Sequence, residues 1–514
     1  MATEPSTYRP TFRKRVGSFF NDLPFNVAAG IGRVMWDFRV LDEENIPEKG
    51  PYILAVNETG LASMLVSGYF SIVMLHKILE RNPLGATTYM QEELWSFAFF
   101  RKALGTGQNK VGSGLGGKYM ALIPHSAGVW ALNLLEGYHT LKKGGIVILN
   151  PQGEATWSGR PVPCHHSAAW LALRTGAPIV PCLSTIGAYD LWPRWQMLPS
   201  RKGDLKLAIG RPFALTDKPL DAVTDEEVER GTALVAEEFD RVAYGRSGGI
   251  DGWAGPVLRN GKPVAVPIEL RPPAKPLAPV PPEVLAAPRG KRGMAQLLWQ
   301  CPVCRTDEAL VHRKPRFRKP TVRCLACGTV WAFEHVVDRD FRMKVLEGPE
   351  GLVGLDMGLS TWYEQMKKNF RPKPISVTGV DLLPGEEVYL EKGDVPLVPY
   401  KPSTLFEGWT GREPPTRQQG KREYADWELL GEGRLLLTSH RLVWQGPQGE
   451  LDFMWSKTTA VYQFVADVLG IRYGTALYRF DVNEALMLRW LTHAAVLARK
   501  WAELDGHKVT ISNF

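Results

Sequence analysis

The chain has 514 residues, too many for one hydrophobic core, so two to four domains are expected. Its 44% hydrophobic and 23% charged residues are ordinary for a soluble globular protein. The longest apolar stretch, about LASMLVSGYFSIVML, is shorter than the roughly 20 residues that cross a bilayer, and the polar, basic start MATEPSTYRPTFRKR gives no expectation of a secretory signal peptide.

Six cysteines do not make a disulfide scaffold in a chain this long. Four of them pair as CxxC, which points to metal in a reducing compartment, and a cytoplasmic protein is expected. The net charge of +8 is uneven. Residues 1–250 hold 26 Lys and Arg against 24 Asp and Glu, residues 251–345 hold 17 against 8, and residues 346–514 hold 19 against 22. The basic surface therefore belongs to the middle segment, where it would attract phosphate of a nucleic acid or an anionic membrane.

In chain order, the N-terminal YRPTFRKRVGSFFNDLPFNVAAGIGRVMW has the character of a basic interfacial helix or of a helix packed on the core. Strand-like runs rich in β-branched residues follow: PYILAVN, GGIVILN, APIVPCLS and GDLKLAIG. They alternate with helix-length stretches, LASMLVSGYFSIVMLHKILE, GVWALNLLEGYHTLKKG and SAAWLALRTG, as expected of an α/β layer fold. TDEEVERGTALVAEEFDRVAYG closes this part, with Thr224 and Glu227 spaced for a capping box. Residues 256–288 contain ten prolines, which lack an amide donor, so an extended linker is expected across 251–295, with a proline-rich loop wrapped on the first domain as the other reading.

CPVCRTDEALVHRKPRFRKPTVRCLACG then sets the pair Cys301 and Cys304 apart from the pair Cys324 and Cys327 by nineteen intervening residues. Each CxxC turns two thiolates toward one point, and a short hairpin joining two such knuckles completes a four-thiolate site. This predicts a zinc ribbon over 296–345 with a structural zinc, against a rubredoxin-like iron site as the competing reading. Between the knuckles lie Arg313, Lys314, Arg316, Arg318 and Lys319, a patch suited to lipid headgroups, an acidic partner or nucleic acid. Nucleic acid ranks last, because only Phe317 supplies an aromatic there.

After a connector (346–379), residues 380–514 read as strands ending in one helix, NEALMLRWLTHAAVLARKWAEL, with Asn483 as its cap. GRLLLTSHRLVWQGPQGELDFMW reads as two strands about a Gly446–Gly449 turn, and GIRYGTALYRFDV as a hairpin. GRLLLTSHRLVWQG resembles the strand pair of GRAM and bacterial pleckstrin-homology (PH)-like domains, which implies an α+β module with Leu435, Leu437 and Leu442 in its core. Arg434, His440 and Arg441 are its candidate headgroup contacts.

Within an expected domain at 1–250, the stretch from about residue 25 to 245 resembles the lysophosphatidic-acid acyltransferase family of glycerolipid acyltransferases. The carrying segments are NIPEKGPYILAVNETG, ALIPHSAGVWALNLLEGYHTLKKGGIVILNPQGEATWSG, SAAWLALRTGAPIVPCLS and GDLKLAIGRPFAL. The resemblance implies a mixed sheet flanked by helices and acyl transfer from a thioester to a hydroxyl, with a histidine base held by an aspartate.

The family's histidine falls on Glu58 and its aspartate on Ser63. Its PEGTR motif falls on Pro151, Gln152, Gly153, Glu154 and Ala155, and its second-motif arginine falls near His125 and Ser126. A carboxylate titrating near about 4.3 is a poor base for a hydroxyl. Asn57 and Glu58 fit a polar helix N-terminus that satisfies backbone amides. Adjacent helical residues point about 100° apart, so Cys164, His165 and His166 are expected to line the groove or cap a helix rather than share a ligand. Cys182 is expected in the core.

The groove residues are thus Asn57, Glu58, His125, Pro151, Gln152, Gly153, His165 and His166, with no catalytic residue expected. This is the pattern of a non-catalytic scaffold that binds an acyl chain, a lipid or a protein partner at a membrane surface, with homo-oligomers allowed. The alternative is a divergent acyltransferase acting on a lysophospholipid-type acceptor.

Overall fold

The computed structural model describes residues 30, 34, 36–57, 86–91, 120–125, 130–153, 155–185, 187–196, 198–200, 203–265, 293–314, 319–400, 429–464, 468–474, 476–482 and 487–511. Glu58, Ser63, Ser126, Glu154, Arg316, Phe317, Arg318, the helix expected from Leu61, the N-terminal helix up to Ala29 and the Asn483 cap lie outside the described residues.

The first sheet contains β1 (Arg39–Leu41), β2 (Tyr52–Val56), β3 (Ala86–Gln91), β4 (Met120–His125), β5 (Ile146–Leu149), β6 (Ile179–Ser184) and β7 (Lys206–Ile209), in the order β1-β7-β6-β2-β5-β3-β4. Every neighbouring pair is parallel except β6 and β7. The continuous apolar runs of β2, β5 and β6 are those of strands covered on both faces. Alternate residues divide between the two sides. Ile53, Ala55, Val147 and Leu149 face one cluster, and Tyr52, Leu54, Ile146 and Ile148 face another.

The first side is covered by α1 (Trp130–Lys142), α2 (Ser167–Thr175) and, after the short α3 (Gly187–Leu191), by α4 (Asp225–Tyr244). Gly176, at φ 69°, ends α2 in a left-handed turn that bonds back to Ala172 O. The capping box at Thr224 and Glu227 is present.

Residues 249–263 form three further elements. α5 (Gly249–Ala254) buries Trp253 edge-on against Tyr189 and Tyr244. β8 (Leu258–Arg259) and β9 (Lys262–Pro263) form a hairpin whose turn residues, Asn260 and Gly261, have φ 49° and 81°. These join β10 (Leu310–Arg313), β11 (Thr321–Cys324), β12 (Val330–Glu334), β13 (Arg342–Glu347) and β14 (Leu355–Gly358) in an antiparallel sheet, ordered β10-β11-β12-β13-β14-β8-β9. The expected connector supplies β14 and α6 (Leu359–Lys368), which buries Trp362, Tyr363 and Met366. The four-cysteine segment is one end of a sheet extending from residue 258 to 358.

The third sheet is formed by β15 (Val388–Tyr400), β16 (Gly431–Thr438), β17 (Arg441–Gly446), β18 (Gly449–Met454), β19 (Thr458–Phe464), β20 (Val468–Tyr473), β21 (Ala476–Asp481) and β22 (Thr510–Ile511), in the order β18-β17-β16-β15-β21-β20-β19-β22. The stretch expected as two strands is three. The extra turn falls at Ser439–His440, where the Thr438 hydroxyl accepts the N–H groups of His440 and Arg441. Leu435, Leu437 and Leu442 are buried in the main core with Trp490 of α7 (Met487–Asp505). Leu436 and Val443, on the opposite face, are also buried, beneath Val377 and Val380.

The three bodies share one core. Phe341 lies between Tyr189 and Trp195 of the first body, and Trp299 of the second meets His493 of α7. Trp157 Nε1 donates to Gln463 Oε1 of β19 at 2.7 Å, with both side chains buried.

Candidate functional site

Asn57 directly follows β2 and Pro151 lies two residues past the end of β5, so both sequence-flagged positions meet at one end of adjacent parallel strands. The Asn57 side chain reaches across to β6. Its Nδ2 donates to Ser184 O at 3.1 Å and its Oδ1 accepts Ser184 N–H at 2.8 Å, joining the ends of β2 and β6. Gln152 is buried; its Nε2 donates to Val162 O at 3.1 Å, and its N–H donates to Asn150 Oδ1. The glutamate that the family motif has here could not make the first of these bonds, because an ionised carboxylate only accepts.

The loop from 151 to 163 is held at several further points. Arg194 donates to Ala155 O at 2.9 Å and lies 4.4 Å from the Trp157 ring, and Tyr189 O–H donates to Trp157 O. Among the described residues, a cavity of about 10 Å³ lies between Asn57, Gln152, Thr156, Arg160, Phe239 and Tyr244, room for one water at most.

Gly153, at φ 75°, lets the chain turn tightly here. A Cβ at this position would lie 3.1 Å from His165 Nε2, so the imidazole sits directly over the glycine. His165 N–H donates to Pro151 O at 2.6 Å. Burial, and secondarily the charge of His166, lowers the His165 pKa to about 4, so the ring is neutral at pH 7.

His166 turns away to α4, with Nδ1 3.1 Å from Thr232 Oγ1. The Thr232 hydroxyl donates its proton to Val228 O, so His166 carries its hydrogen on Nδ1. His166 occupies the N-cap position of α2, yet its side chain makes no capping bond. Cys164 is pushed up to about 12, first by burial and then by Asp240. The triplet thus diverges. His125 ends β4, three strands from β2 in the sheet order, or about 14 Å at the usual strand spacing.

The four cysteines form a candidate metal centre. Their sulfurs all lie within 4.8 Å of one another, with Cys301 to Cys327 at 4.0 Å and Cys304 to Cys324 at 3.6 Å. Four thiolates about 2.3 Å from a tetrahedral ion would sit about 3.8 Å apart, so this arrangement fits. Cys324 ends β11, paired with Leu310 of β10, and the hairpin brings the knuckles together.

Hydroxyls support the cluster from outside, Thr306 Oγ1 at 3.2 Å from Cys304 and Thr329 Oγ1 at 3.1 Å from Cys327. Cys327 N–H donates to Cys324 Sγ. Hydrogen bonds from Cys301 and then Cys324 lower the Cys304 pKa to about 7, while burial raises that of Cys301. Both threonines follow their cysteine by two residues, a spacing readable in the sequence and not singled out there.

Of the expected basic patch, Arg313, Lys314 and Lys319 are exposed, and Lys314 Nζ lies 6.0 Å from the Trp195 ring. In the C-terminal body the expected headgroup contacts are engaged internally. Arg441 is buried and pairs with Glu386 at 3.0 Å and Asp452 at 2.6 Å. Arg434 pairs with Glu391 at 2.7 Å, and His440 bonds Ser439 and tilts against Trp501.

No protein-family model matches the chain. Over 211 residues it is 27% identical to the 1-acyl-sn-glycerol-3-phosphate acyltransferase of Pseudomonas aeruginosa, spanning 40% of this chain and 70% of that protein. Among solved structures, the 1-acyl-sn-glycerophosphate (LPA) acyltransferase PlsC of Thermotoga maritima matches with 19% identity and a TM-score of 0.29, over 45% of this chain and 83% of that one. The Vps36 N-terminal PH domain matches with 14% identity and a TM-score of 0.16, over 24% and 85%. The sequence similarity is to an acyltransferase and covers less than half of the chain. Among the described residues no helix is long and apolar enough to cross a membrane.

Proposed function

We propose that this chain is a non-catalytic, acyltransferase-like scaffold that holds a partner within a protein assembly or at an anionic membrane surface on the cytoplasmic side. One observation carries the reading: Asn57 and Gln152, at the positions flanking the family's chemistry, use their amides to bond Ser184 and Val162 of the same chain. Glu58 and Ser63 replace the family's histidine and aspartate, so the base and its orienting group are both changed. The metal is zinc in a structural role, since four protein thiolates leave no position for water. In the C-terminal module the inward pairing of Arg434 and Arg441 favours a protein partner over a lipid headgroup.

The test is incubation of the metal-loaded full chain with acyl-coenzyme A and a series of lysophospholipids. No transfer above the protein-free rate is expected, and turnover abolished by Glu58→Gln would overturn the reading. The position of His165 favours a second reading. Its neutral imidazole over Gly153 would act as a relocated base in a divergent acyltransferase. Turnover lost on His165→Gln and retained on Glu58→Gln would establish that alternative.

A further inference from the structure

β18 is an edge of the third sheet: it pairs with β17 on one side, and on the other no strand pairs with it among the described residues. Its backbone amides and carbonyls are therefore arranged to accept another strand. Phe453 is buried in the core, while Glu450 and Asp452, on the opposite face, keep 36% and 42% of their side chains exposed.

Acidic residues outnumber basic ones along the segments that carry β15 to β18. Segments 380–400 and 429–454 contain eight carboxylates against three cations. Two of those cations are already paired, Arg441 with Glu386 and Asp452 and Arg434 with Glu391. Asp381, Glu387, Asp394 and Glu432 are exposed. Beside them the 375–383 strap exposes Ile375, Leu382 and Leu383 at 42%, 44% and 38%.

We infer that β18 is a docking edge for an extended, basic segment of a partner protein, whose backbone adds a strand to the sheet and whose cations meet Glu450 and Asp452. A second copy of this chain is a poor occupant. Antiparallel pairing of two β18 edges about a twofold axis sets Glu450 against Asp452 or against itself, and like charges directly opposite each other are unfavourable. An anionic bilayer meets the same repulsion. The inference deepens the partner-binding part of the function proposed above and is independent of its catalytic silence, which an acyl-transfer assay tests separately.

The experiment uses the metal-loaded full chain and a fluorescein-labelled peptide of alternating lysine and valine. The controls are the glutamate–valine counterpart and vesicles of phosphatidylserine and phosphatidylcholine. Saturable binding of the lysine peptide is expected, with slowed amide exchange at residues 449–454 and an affinity that falls as salt rises. Glu450→Lys should weaken it by about tenfold or more. Glu450→Gln, which keeps the size of the side chain, should give a smaller loss in a protein with an unchanged melting curve. Equal binding of the two peptides, absence of binding, protection elsewhere than 449–454, or preferential binding of the vesicles would overturn the inference.

Discussion

Gln152 shows how one atom can change the role of a position. Its Nε2 holds Val162 O, so Gln152→Glu would restore the family's residue while setting a carboxylate against a carbonyl. We predict that this variant gains no acyl transfer and loses about 1–3 kcal/mol in urea denaturation. The identity of Gln152 was legible in the sequence, but its inward role was not, because Val162 comes within reach only once the loop folds back.

Burial also sets a pH dependence. It raises the pKa of Asp190 to about 6 and that of Asp340 to about 7. These acids hold their protons more tightly folded than unfolded. Each therefore lowers stability as pH rises from about 4 through its folded pKa. His165, His312 and His493 act in the opposite sense. Burial lowers them to about 4, 3 and 3, the unfolded chain protonates first, and stability falls as pH drops below about 6.5. Asp190→Asn removes one of the opposing acids and leaves the histidines. On going from about pH 7 to about pH 4.5 it should lose on the order of 2 kcal/mol more stability than the unaltered protein, measured by urea titration at each pH.

At the scale of elements, the four-cysteine hairpin was the most legible feature, because CxxC spacing fixes thiolate geometry within each knuckle. Removing the metal should unfold β10 and β11 together, since Cys324 ends β11 and Cys301 and Cys304 lead into β10. Release of one metal ion per chain by a thiol-reactive mercurial, with loss of strand circular dichroism, is the expected result. Replacing Thr306 and Thr329 by valine should weaken metal retention about 10-fold or more in chelator competition. The capping box was equally readable, and Thr224→Ala should cost about 1 kcal/mol in the same denaturation assay. The β8–β9 hairpin was missed even though Asn260-Gly261 is a strong turn signal; ten nearby prolines drew the whole stretch into an expected linker.

At the scale of the molecule, the layer order of the first body follows from alternation of strands and helices, but contacts between bodies have no periodic signature. Trp157 and Gln463 are separated by 306 positions, and nothing local to either announces the other. Asp307, beside the first knuckle, likewise pairs with Arg489 of α7 at 2.9 Å. Gln463→Leu leaves a buried indole N–H without its acceptor. It should lower stability by about 1–3 kcal/mol, with tryptophan fluorescence and strand circular dichroism shifting together. Separate transitions by the two probes would show that the bodies unfold independently.

The pairing of β8 with β14 also constrains how the chain is made. The strand beginning at Leu258 emerges from the ribosome long before Leu355–Gly358, which must lie beside it. Until then Trp253 lacks Phe341, which completes the aromatic cluster through Tyr189, and the nascent N-terminal body exposes that surface throughout synthesis of the cysteine hairpin. Chaperone engagement during translation is accordingly expected to persist until residue 358 has cleared the exit tunnel.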